Sequence, residues 1–355
     1  MILEERLSQL LDDRSREEQF SGVVLIQQDQ HTLFEAAYGY ANRSWSVKNQ
    51  INTRFRLASI SKMFTAVAVL QLIDQGKLSL DVPIAESLGL QDTKIPHEAT
   101  VYHMLTMTPG IADWFDESGD WEEAWRALCR EHPLYLLQRN QDYLPLFVNK
   151  DPIAPVGTKH QYSNASYILL GLIIEHLSRL SYFDYIRQHI FGPAGMVRSD
   201  FLALDSVSDE VAEGYVPVMD EDGTIIDWKK NVYSATPEAA ADGGATSTAH
   251  DLVKFSRALR GGVLLSAERT QEMLTPKVMA NDEPFRGYTW KYGYGSFFIL
   301  DRDERIVRWG HTGEEGGVSC RFYYYPKENV DVIILGNQSW CAGSLGWQIH
   351  DLILE

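Results

Sequence analysis

The chain has 355 residues, 45% of them hydrophobic and 23% charged, which is the composition of an ordinary globular protein. At about 150 residues per domain, this length predicts two lobes. The net charge of −17 argues against nucleic-acid binding, because contacts to phosphates require a basic face.

Signals for export, membrane insertion or metal binding are not evident in the sequence. The N-terminal segment up to Phe20 is acidic and amphipathic, whereas a secretory signal starts basic and continues apolar. The longest apolar runs, near Gly171, are too short to span a bilayer. Cys129, Cys320 and Cys341 match neither a disulfide framework nor a zinc site. We therefore expect a cytoplasmic protein without metal or organic cofactor, whose oligomeric state the sequence leaves open.

The predicted elements begin with an amphipathic helix, marked by leucines at helical spacing over residues 3–11. Strands over 23–27 and 32–38 follow and form a hairpin. The helix predicted over 61–74 is apolar on nearly every face, which is typical of a buried helix. Gly76 is suited to end it.

Helical patterns dominate the middle of the chain and strand patterns its end. Helices are predicted over 100–107, 165–179 and 182–191, and over 249–259 after a capping pair of Thr248 and Asp251. Strands are predicted over 292–300, 306–311, 318–325 and 330–335, before a last helix over 344–354. This order predicts an α/β fold of the α+β type: a sheet lobe from residues 1–80 plus 235–355, and an inserted, mainly helical lobe from residues 81–234.

The first motif, Ser59-Ile60-Ser61-Lys62, lies where a short strand over 55–57 gives way to the buried helix. Three residues along a helix return to the same face, so Lys62 is expected beside Ser59. Burial favours the neutral form of a lysine, which can accept the serine proton. The helix N-terminus adds backbone donors for an oxyanion. The alternative is that Ser59 only caps the helix.

The second motif, Tyr-x-Asn, occurs at Tyr162 with Asn164 and again at Tyr40 with Asn42. The copy at Tyr40 follows a strand and is interpreted as a turn. The copy at Tyr162 lies in a polar loop before a helix, where functional residues are common. Tyr162 can carry a proton if the cation of Lys62 lowers its pKa from about 10. Asn164 can orient a substrate amide and the lysine, or simply cap the helix.

The third motif, His311-Thr312-Gly313, ends a strand rich in aromatic and β-branched residues. Gly313 allows another group to approach the backbone closely. The N–H of Glu314 can then complete an oxyanion hole with the N–H of Ser59. A lone histidine such as His311 can equally be a packing residue.

In this order the three motifs resemble those of the penicillin-recognising serine hydrolases. The nearest relatives implied are class C β-lactamases with related esterases, D-aminopeptidases and D-alanyl-D-alanine carboxypeptidases. The resemblance covers about residues 21–337, including the segments 55–62, 105–111, 162–171, 191–196 and 243–252.

The resemblance implies a β-lactamase/transpeptidase-like fold, with a central antiparallel sheet flanked by helices and the active site between the sheet lobe and the helical lobe. It also implies roles for individual residues. Ser59 would be the acylated nucleophile, Lys62 its proton partner and Tyr162 the second acid or base. Asn164 and the segment 311–314 would contact the substrate.

One position departs from the pattern of this family. Lactamases and carboxypeptidases usually carry a lysine first in the third motif, where it binds the substrate carboxylate, whereas this chain has His311. An unperturbed imidazole titrates near pH about 6.5, and the neighbouring Glu314 and Glu315 would raise its pKa. We therefore expect carboxylate substrates to bind better at low pH, and esters, amides or amine-bearing substrates to be favoured at neutral pH.

Together the motifs predict a serine hydrolase that acts through an acyl-enzyme on the ester, amide or β-lactam-like carbonyl of a small molecule or short peptide. Within the family, the alternative is a D-alanyl-D-alanine carboxypeptidase (penicillin-binding protein) or a true β-lactamase. The alternative from another class is a catalytically silent family member that only binds ligands or partners.

Overall fold

The computed structural model describes residues 3–117 and 119–355. Its strands are β1 (Gly22–Gln28), β2 (His31–Tyr38), β3 (Tyr40–Asn42), β4 (Val47–Lys48), β5 (Phe55–Arg56), β6 (Tyr215–Met219), β7 (Ile225–Lys230), β8 (Thr246–Ser247), β9 (Val278–Met279), β10 (Thr289–Tyr292), β11 (Phe297–Leu300), β12 (Ile306–Glu315), β13 (Val318–Tyr325) and β14 (Val330–Gly336).

Its α-helices are α1 (Leu3–Arg16), α2 (Lys62–Asp74), α3 (Ile84–Ser87), α4 (Val101–Leu105), α5 (Trp121–Glu131), α6 (Asn164–Ser178), α7 (Tyr182–Ile186), α8 (Gly192–Ala194), α9 (Ala249–Arg260), α10 (Ala267–Met273) and α11 (Gly343–Leu354). Short 3₁₀ turns span Ala58–Ser61, Leu134–Leu136, Asn140–Leu146 and Asn231–Tyr233, and a π-helical turn spans Arg187–Phe191.

The main sheet joins the two ends of the chain. Within the described residues it has eight strands in the order β2-β1-β14-β13-β12-β11-β10-β9, and each neighbouring pair is antiparallel. The β1–β14 pairing places Gly22 opposite Gly336, so the first hairpin completes a sheet whose other strands come late in the sequence. The predicted central antiparallel sheet is confirmed.

Both faces of this sheet are covered, and the alternation of side chains along β1 shows how. Val23 and Leu25 point to the face that belongs to the larger hydrophobic core, where α9 packs on β1. Val24 and Ile26 point to the opposite face, where Leu7 of α1 and residues of α11 cover them. The sheet is thus a layer between two sets of helices, as in other mixed folds.

The segment 292–300, predicted as one strand, forms two strands with a tight turn between them. Gly295 in that turn has φ +69°, and a Cβ there would lie 2.9 Å from the carbonyl oxygen of Lys62. The turn therefore brings β10 and β11 directly against the start of α2, an approach that only glycine permits. Strand β12 in turn continues past the predicted end at 311 to Glu315.

The helices between the two halves of the sheet come from the middle of the chain. Helices α3 to α8 fall within residues 81–234, together with the hairpin of β6 and β7, which the sequence patterns did not predict. The exact division into a sheet lobe and an inserted lobe remains a prediction. Along residues 3–117 and 119–355, no helix combines the length and apolar character required to cross a bilayer.

Helix α2 is the centre of the larger core. The side chain of Phe64 is fully buried, and its ring lies edge-on to Phe191 at 5.2 Å and to Phe255 at 4.8 Å. Such aromatic pairs add to the stabilisation that comes from burial. The expected buried helix is confirmed at this position.

We predict that Phe64→Ala lowers the free energy of unfolding by about 3–5 kcal/mol, because it leaves a cavity between three helices. Phe64→Leu should cost less, since more of the volume is retained. Chemical and thermal unfolding followed by circular dichroism would measure both. Trp45, which is 82% exposed, supplies the control, and Trp45→Ala should change stability by less than about 0.5 kcal/mol. Equal losses in the two alanine variants would contradict the central place of α2.

Candidate active site

The predicted nucleophile lies on the 3₁₀ turn Ala58–Ser61, between β5 and α2. Ser59 is partly exposed, whereas Lys62 at the first position of α2 is completely buried. Nζ of Lys62 lies 2.9 Å from Oγ of Ser59, so the expected pairing is present. Within the described residues, the N-caps of this turn and of α2 make no side-chain capping bond, so the capping alternative for Ser59 is wrong.

Lys62 has three oxygen neighbours at hydrogen-bond distance. Besides Ser59 Oγ, its Nζ donates to Oδ1 of Asn164 at 2.7 Å and to the backbone oxygen of Asp242 at 2.6 Å. An amide or peptide oxygen can only accept, whereas a hydroxyl can also donate. When Lys62 is neutral, its two N–H groups therefore satisfy Asn164 and Asp242, and its lone pair is left for the hydroxyl of Ser59.

Burial lowers the pKa of Lys62, and four carboxyl groups around it oppose that shift. The carboxyl groups, in decreasing order of effect, belong to Asp242, Glu117, Asp113 and Glu315. A lysine without charge partners would lose its proton readily in such surroundings, whereas the acids keep the ammonium accessible. Burial and the surrounding carboxyl groups therefore act on the pKa of Lys62 in opposite directions, and the net shift is downward.

Asn164 opens α6, and two acids fix its orientation. Its backbone N–H donates to Oδ2 of Asp113 at 2.6 Å, and the N–H of Ala165 donates to Oδ1 of the same carboxylate at 2.8 Å. Its side-chain Nδ2 donates to Oε1 of Glu117 at 2.7 Å. With Nδ2 directed to Glu117, Oδ1 faces Lys62. Burial raises the pKa of Asp113 to about 7, although the N–H groups that it accepts oppose the shift.

Tyr162 lies beside Ser59 and Lys62, but the prediction that its pKa is lowered is wrong. Nζ of Lys62 is 4.9 Å from the centroid of its ring, and its hydroxyl hydrogen-bonds Ser59. Burial raises the pKa of Tyr162 well above its usual value, which outweighs the opposing effect of the bond to Ser59. The phenol is therefore neutral at physiological pH, because the phenolate would lose its hydration.

The second Tyr-x-Asn copy has structural contacts, as its position after a strand indicated. Tyr40 and Asn42 lie in β3, and Nζ of Lys48 lies 3.6 Å from the centroid of the Tyr40 ring. Oδ1 of Asn42 accepts the N–H of Trp45 at 2.8 Å, which closes the turn to β4.

His311 faces the rings around Tyr162. The prediction that it titrates at or above its unperturbed pKa of about 6.5 is also wrong. It is 1% exposed, and its ring centroid lies 5.3 Å from that of Phe297 and 6.1 Å from that of Tyr162. Burial, followed by the charge of Lys62, lowers the pKa of His311 to about 3. The imidazole is therefore neutral throughout the physiological range.

The two acids expected to raise the pKa of His311 are paired with arginines instead. Glu314 Oε1 lies 2.6 Å from a guanidinium nitrogen of Arg321, and Glu315 Oε1 lies 2.5 Å from Nε of Arg56. In these salt bridges the negative charge of each glutamate is paired with the positive charge of an arginine. The sequence showed that the acids were near His311 in the chain but not where their side chains point.

Strand β12 packs directly on the nucleophile turn. A Cβ at Gly313 would lie 2.1 Å from the carbonyl oxygen of Leu57, so only glycine fits there. Thr312 lies opposite Arg321 and Glu314 opposite Ser319 on β13. This packing brings the backbone after Gly313 next to the turn of Ser59; the oxyanion pair of the Ser59 and Glu314 N–H groups stays a prediction.

Asp113, Glu117 and Asp242 were missed by sequence reasoning. None of them belongs to a short motif, and the first two lie in the loop after Pro109-Gly110, far from Lys62 in the chain. Their position in the site depends on the folding of three separate segments around α2. A composition rich in acids gave no sign of which ones are buried.

Comparisons with known proteins identify the family of this chain. A family model described as Beta-lactamase matches residues 7–340. The crystal structure of penicillin binding protein from Bacillus halodurans has a TM-score of 0.87 and 35% identity, over 98% of this chain and 99% of that chain.

Two curated relatives are more distant. Penicillin-binding protein 4* of Bacillus subtilis is 28% identical over 94% of this chain and 71% of its own length. The D-aminopeptidase of Brucella anthropi is 21% identical over 94% of this chain and 59% of its own length. Since the family model spans nearly the whole sequence, the predicted family is confirmed: the chain belongs to the Beta-lactamase family of serine hydrolases.

Proposed function

We propose that this protein hydrolyses esters or amides through an acyl-enzyme on Ser59. The observation that carries the proposal is the environment of Lys62, whose two carbonyl acceptors leave Ser59 as the partner of its lone pair. A serine hydroxyl becomes an effective nucleophile when a neighbouring base removes its proton. A silent binding protein has no use for a buried lysine in this state, so we favour the enzyme.

In the first step the neutral amine of Lys62 takes the proton of Ser59 while Oγ attacks the carbonyl carbon. The resulting ammonium is held by Asn164 and by the backbone of Asp242, with the surrounding carboxylates lowering its energy. Tyr162, a neutral phenol, donates its proton to the leaving group and is reprotonated from Lys62. This division makes Lys62 the base and Tyr162 the acid, because their pKa values are shifted in opposite directions.

The tetrahedral oxyanion would be bound by the backbone N–H groups of Ser59 and Glu314. After the leaving group departs, water attacks the acyl-enzyme and the same two side chains return its proton to Ser59. No step in this sequence consumes an external oxidant, reductant or cofactor.

The neutral, buried His311 favours substrates without a carboxylate at this position. A carboxylate requires a cation or several donors, and two arginines, Arg56 and Arg321, are already engaged by Glu315 and Glu314. Penicillin binding is a second candidate function, because the relative with 35% identity is described as a penicillin binding protein.

We predict that a fluorophosphonate probe labels Ser59 and that Ser59→Ala abolishes labelling. Ser61 is the matched control, since its hydroxyl donates to the carbonyl of Ala58 at 2.8 Å and accepts the N–H of Ala245 at 3.0 Å. Ser61→Ala should keep the label. Peptide mass spectrometry would locate the adduct, and undiminished labelling of Ser59→Ala would refute the assignment and favour a silent family member.

We predict that Lys62→Met and Tyr162→Phe each slow acylation by at least about a hundredfold, the usual effect of a positioned acid or base. The double variant should be little slower than the poorer single variant, because the two groups act as one unit. Burst kinetics with p-nitrophenyl acetate would report the rates. Tyr40→Phe is the control, and a larger loss there than in Tyr162→Phe would show that the wrong copy of the motif was chosen.

We predict that penicillin acylates the wild type slowly and that the rate shows no rise through pH about 6.5, because His311 stays neutral until pH about 3. His311→Lys should raise the rate ratio of benzylpenicillin to p-nitrophenyl acetate about tenfold, through a charge-assisted bond worth about 1.5–3 kcal/mol. His311→Gln, which adds no charge, should not. A rise in wild-type acylation as pH falls through about 6.5 would show that His311 titrates in the folded protein.

A further inference from the structure

A cavity lies on the outer face of the main sheet, on the side that α11 covers. Its volume is about 250 Å³, and it is open to solvent. A cavity of roughly 150 Å³ lined by apolar side chains is large enough for a benzene molecule. The side chains that line this one are mostly aromatic or aliphatic, and they include Trp290, Phe297, Ile299, Arg308 and Tyr323. The space can therefore hold a small ring.

The strand register places these side chains together. Ile299 on β11 lies opposite Arg308 on β12, and both Phe297 and Tyr323 lie opposite Gly310. Residues directly opposite each other in an antiparallel pair point to the same face of the sheet. Because Gly310 has no side chain, room remains above the backbone of β12 between its neighbours.

This cavity is a different place from the cleft at Ser59. It also borders His311 and Thr312, but Arg308 comes five residues before Gly313 along β12, which at about 3.4 Å per residue is a separation of roughly 17 Å. Gly313 faces the nucleophile turn, and an odd number of residues along a strand turns the side chain of Arg308 to the opposite face. A small ligand held by Arg308 therefore does not reach Ser59.

Arg308 is a buried cation that lacks an acidic partner. It is only 3% exposed. The guanidinium carbon lies 3.9 Å from the ring centroid of Tyr323 and 4.4 Å from that of Trp347, and Nη1 donates to the hydroxyl of Tyr325 at 3.1 Å. Within residues 3–117 and 119–355, no carboxylate pairs with it. A buried charge is costly unless it is paired, so an anion bound here would stabilise the folded protein.

The neighbouring titratable groups do not replace that anion. Asp351 of α11 is paired with Arg286 at 2.9 Å. His350 hydrogen-bonds the hydroxyl of Tyr325, and burial, followed by the charge of Arg308, lowers the pKa of His350 to about 3. The imidazole is therefore neutral at physiological pH. The positive charge of Arg308 remains uncompensated beside an apolar cavity.

The stacking of Arg308 leaves hydrogen-bond donors for a ligand. A guanidinium stacks on rings through its planar faces and donates in its plane, where a carboxylate can accept two hydrogen bonds at once. Nη1 is the guanidinium nitrogen with a hydrogen-bond partner among the described residues. A bare inorganic anion would leave the apolar walls in contact with water, and an uncharged apolar molecule would leave the guanidinium unpaired.

We propose that this cavity binds a small carboxylate with an apolar ring. The carboxylate pairs with the guanidinium of Arg308, and the ring lies among the side chains of Trp290, Phe297 and Ile299. The site is additional to the cleft at Ser59 and does not depend on the acyl-enzyme chemistry proposed above.

The test compares benzoate with its uncharged analogue benzamide by isothermal titration calorimetry on the full chain. We expect one site per chain, with benzoate bound at least about tenfold more tightly than benzamide, because only benzoate forms a charge-assisted pair with the guanidinium. Arg308→Met should reduce this affinity ratio to about one. The measurement requires no turnover, so its outcome is independent of whether Ser59 is acylated.

Two control variants remove a positive charge elsewhere. Lys62→Met removes the cation of the proposed reaction centre, and Arg305→Met removes an exposed arginine just before β12 that pairs with Asp303. Both should keep the affinity ratio of the wild type. A wild-type ratio of one, a ratio unaltered by Arg308→Met, or a ratio lost in Lys62→Met would overturn the inference.

Ile299→Phe tests the apolar part of the site without depending on the folding of Arg308→Met. The larger side chain takes space from the cavity and leaves the guanidinium in place, so both ligands should bind severalfold more weakly. Thermal unfolding followed by circular dichroism would show which variants are folded. Unchanged affinity for benzoate in folded Ile299→Phe would place the ligand outside this cavity and refute the proposal.

Discussion

The burial of Lys62 beside Ser59 is the constraint on which the rest of the site depends. A charged lysine that leaves water loses several kcal/mol of hydration, so the protein must either supply partners or accept the neutral amine. Here the protein supplies partners for Lys62 and also lowers its pKa. Two carbonyl oxygens satisfy two N–H groups in either protonation state, and the third position belongs to a hydroxyl that can donate or accept. The chemistry of the site follows from that difference between its three neighbours.

The acids around Lys62 influence how readily it gains or loses its proton, in addition to offsetting its charge. Burial raises the pKa of Asp242, Glu117 and Asp113, and burial lowers the pKa of Lys62. The protons of these groups are therefore coupled, and removing one acid changes the affinity of the others for protons. Asp113 and Glu117 act on Lys62 through Asn164 as well, because they fix which end of its side-chain amide faces the amine.

The fold brings strands of the sheet into direct backbone contact with the segment that carries Ser59 and Lys62. Gly313 lets β12 touch the nucleophile turn, and Gly295 lets the turn between β10 and β11 touch the start of α2. A side chain at either position would separate the sheet from the helix that carries Ser59 and Lys62. The same packing buries His311 among aromatic rings, which keeps it neutral and removes the positive charge that a lysine would place there.

The sequence by itself determined the elements that depend on local patterns. The buried helix α2, the first hairpin and strands β12, β13 and β14 follow from apolar periodicity, and the spacing of Ser59 and Lys62 follows from the helical repeat. Only the tertiary structure decided that 292–300 splits at Gly295, that Glu314 and Glu315 turn to arginines, and that Tyr162 and His311 are neutral. The physical reason is that a pKa and an ion pair depend on burial and on partners distant in the chain, which short motifs do not encode. For the same reason, only folding revealed Asp113, Glu117 and Asp242 around one lysine, because their common feature is a shared place in space rather than a sequence pattern.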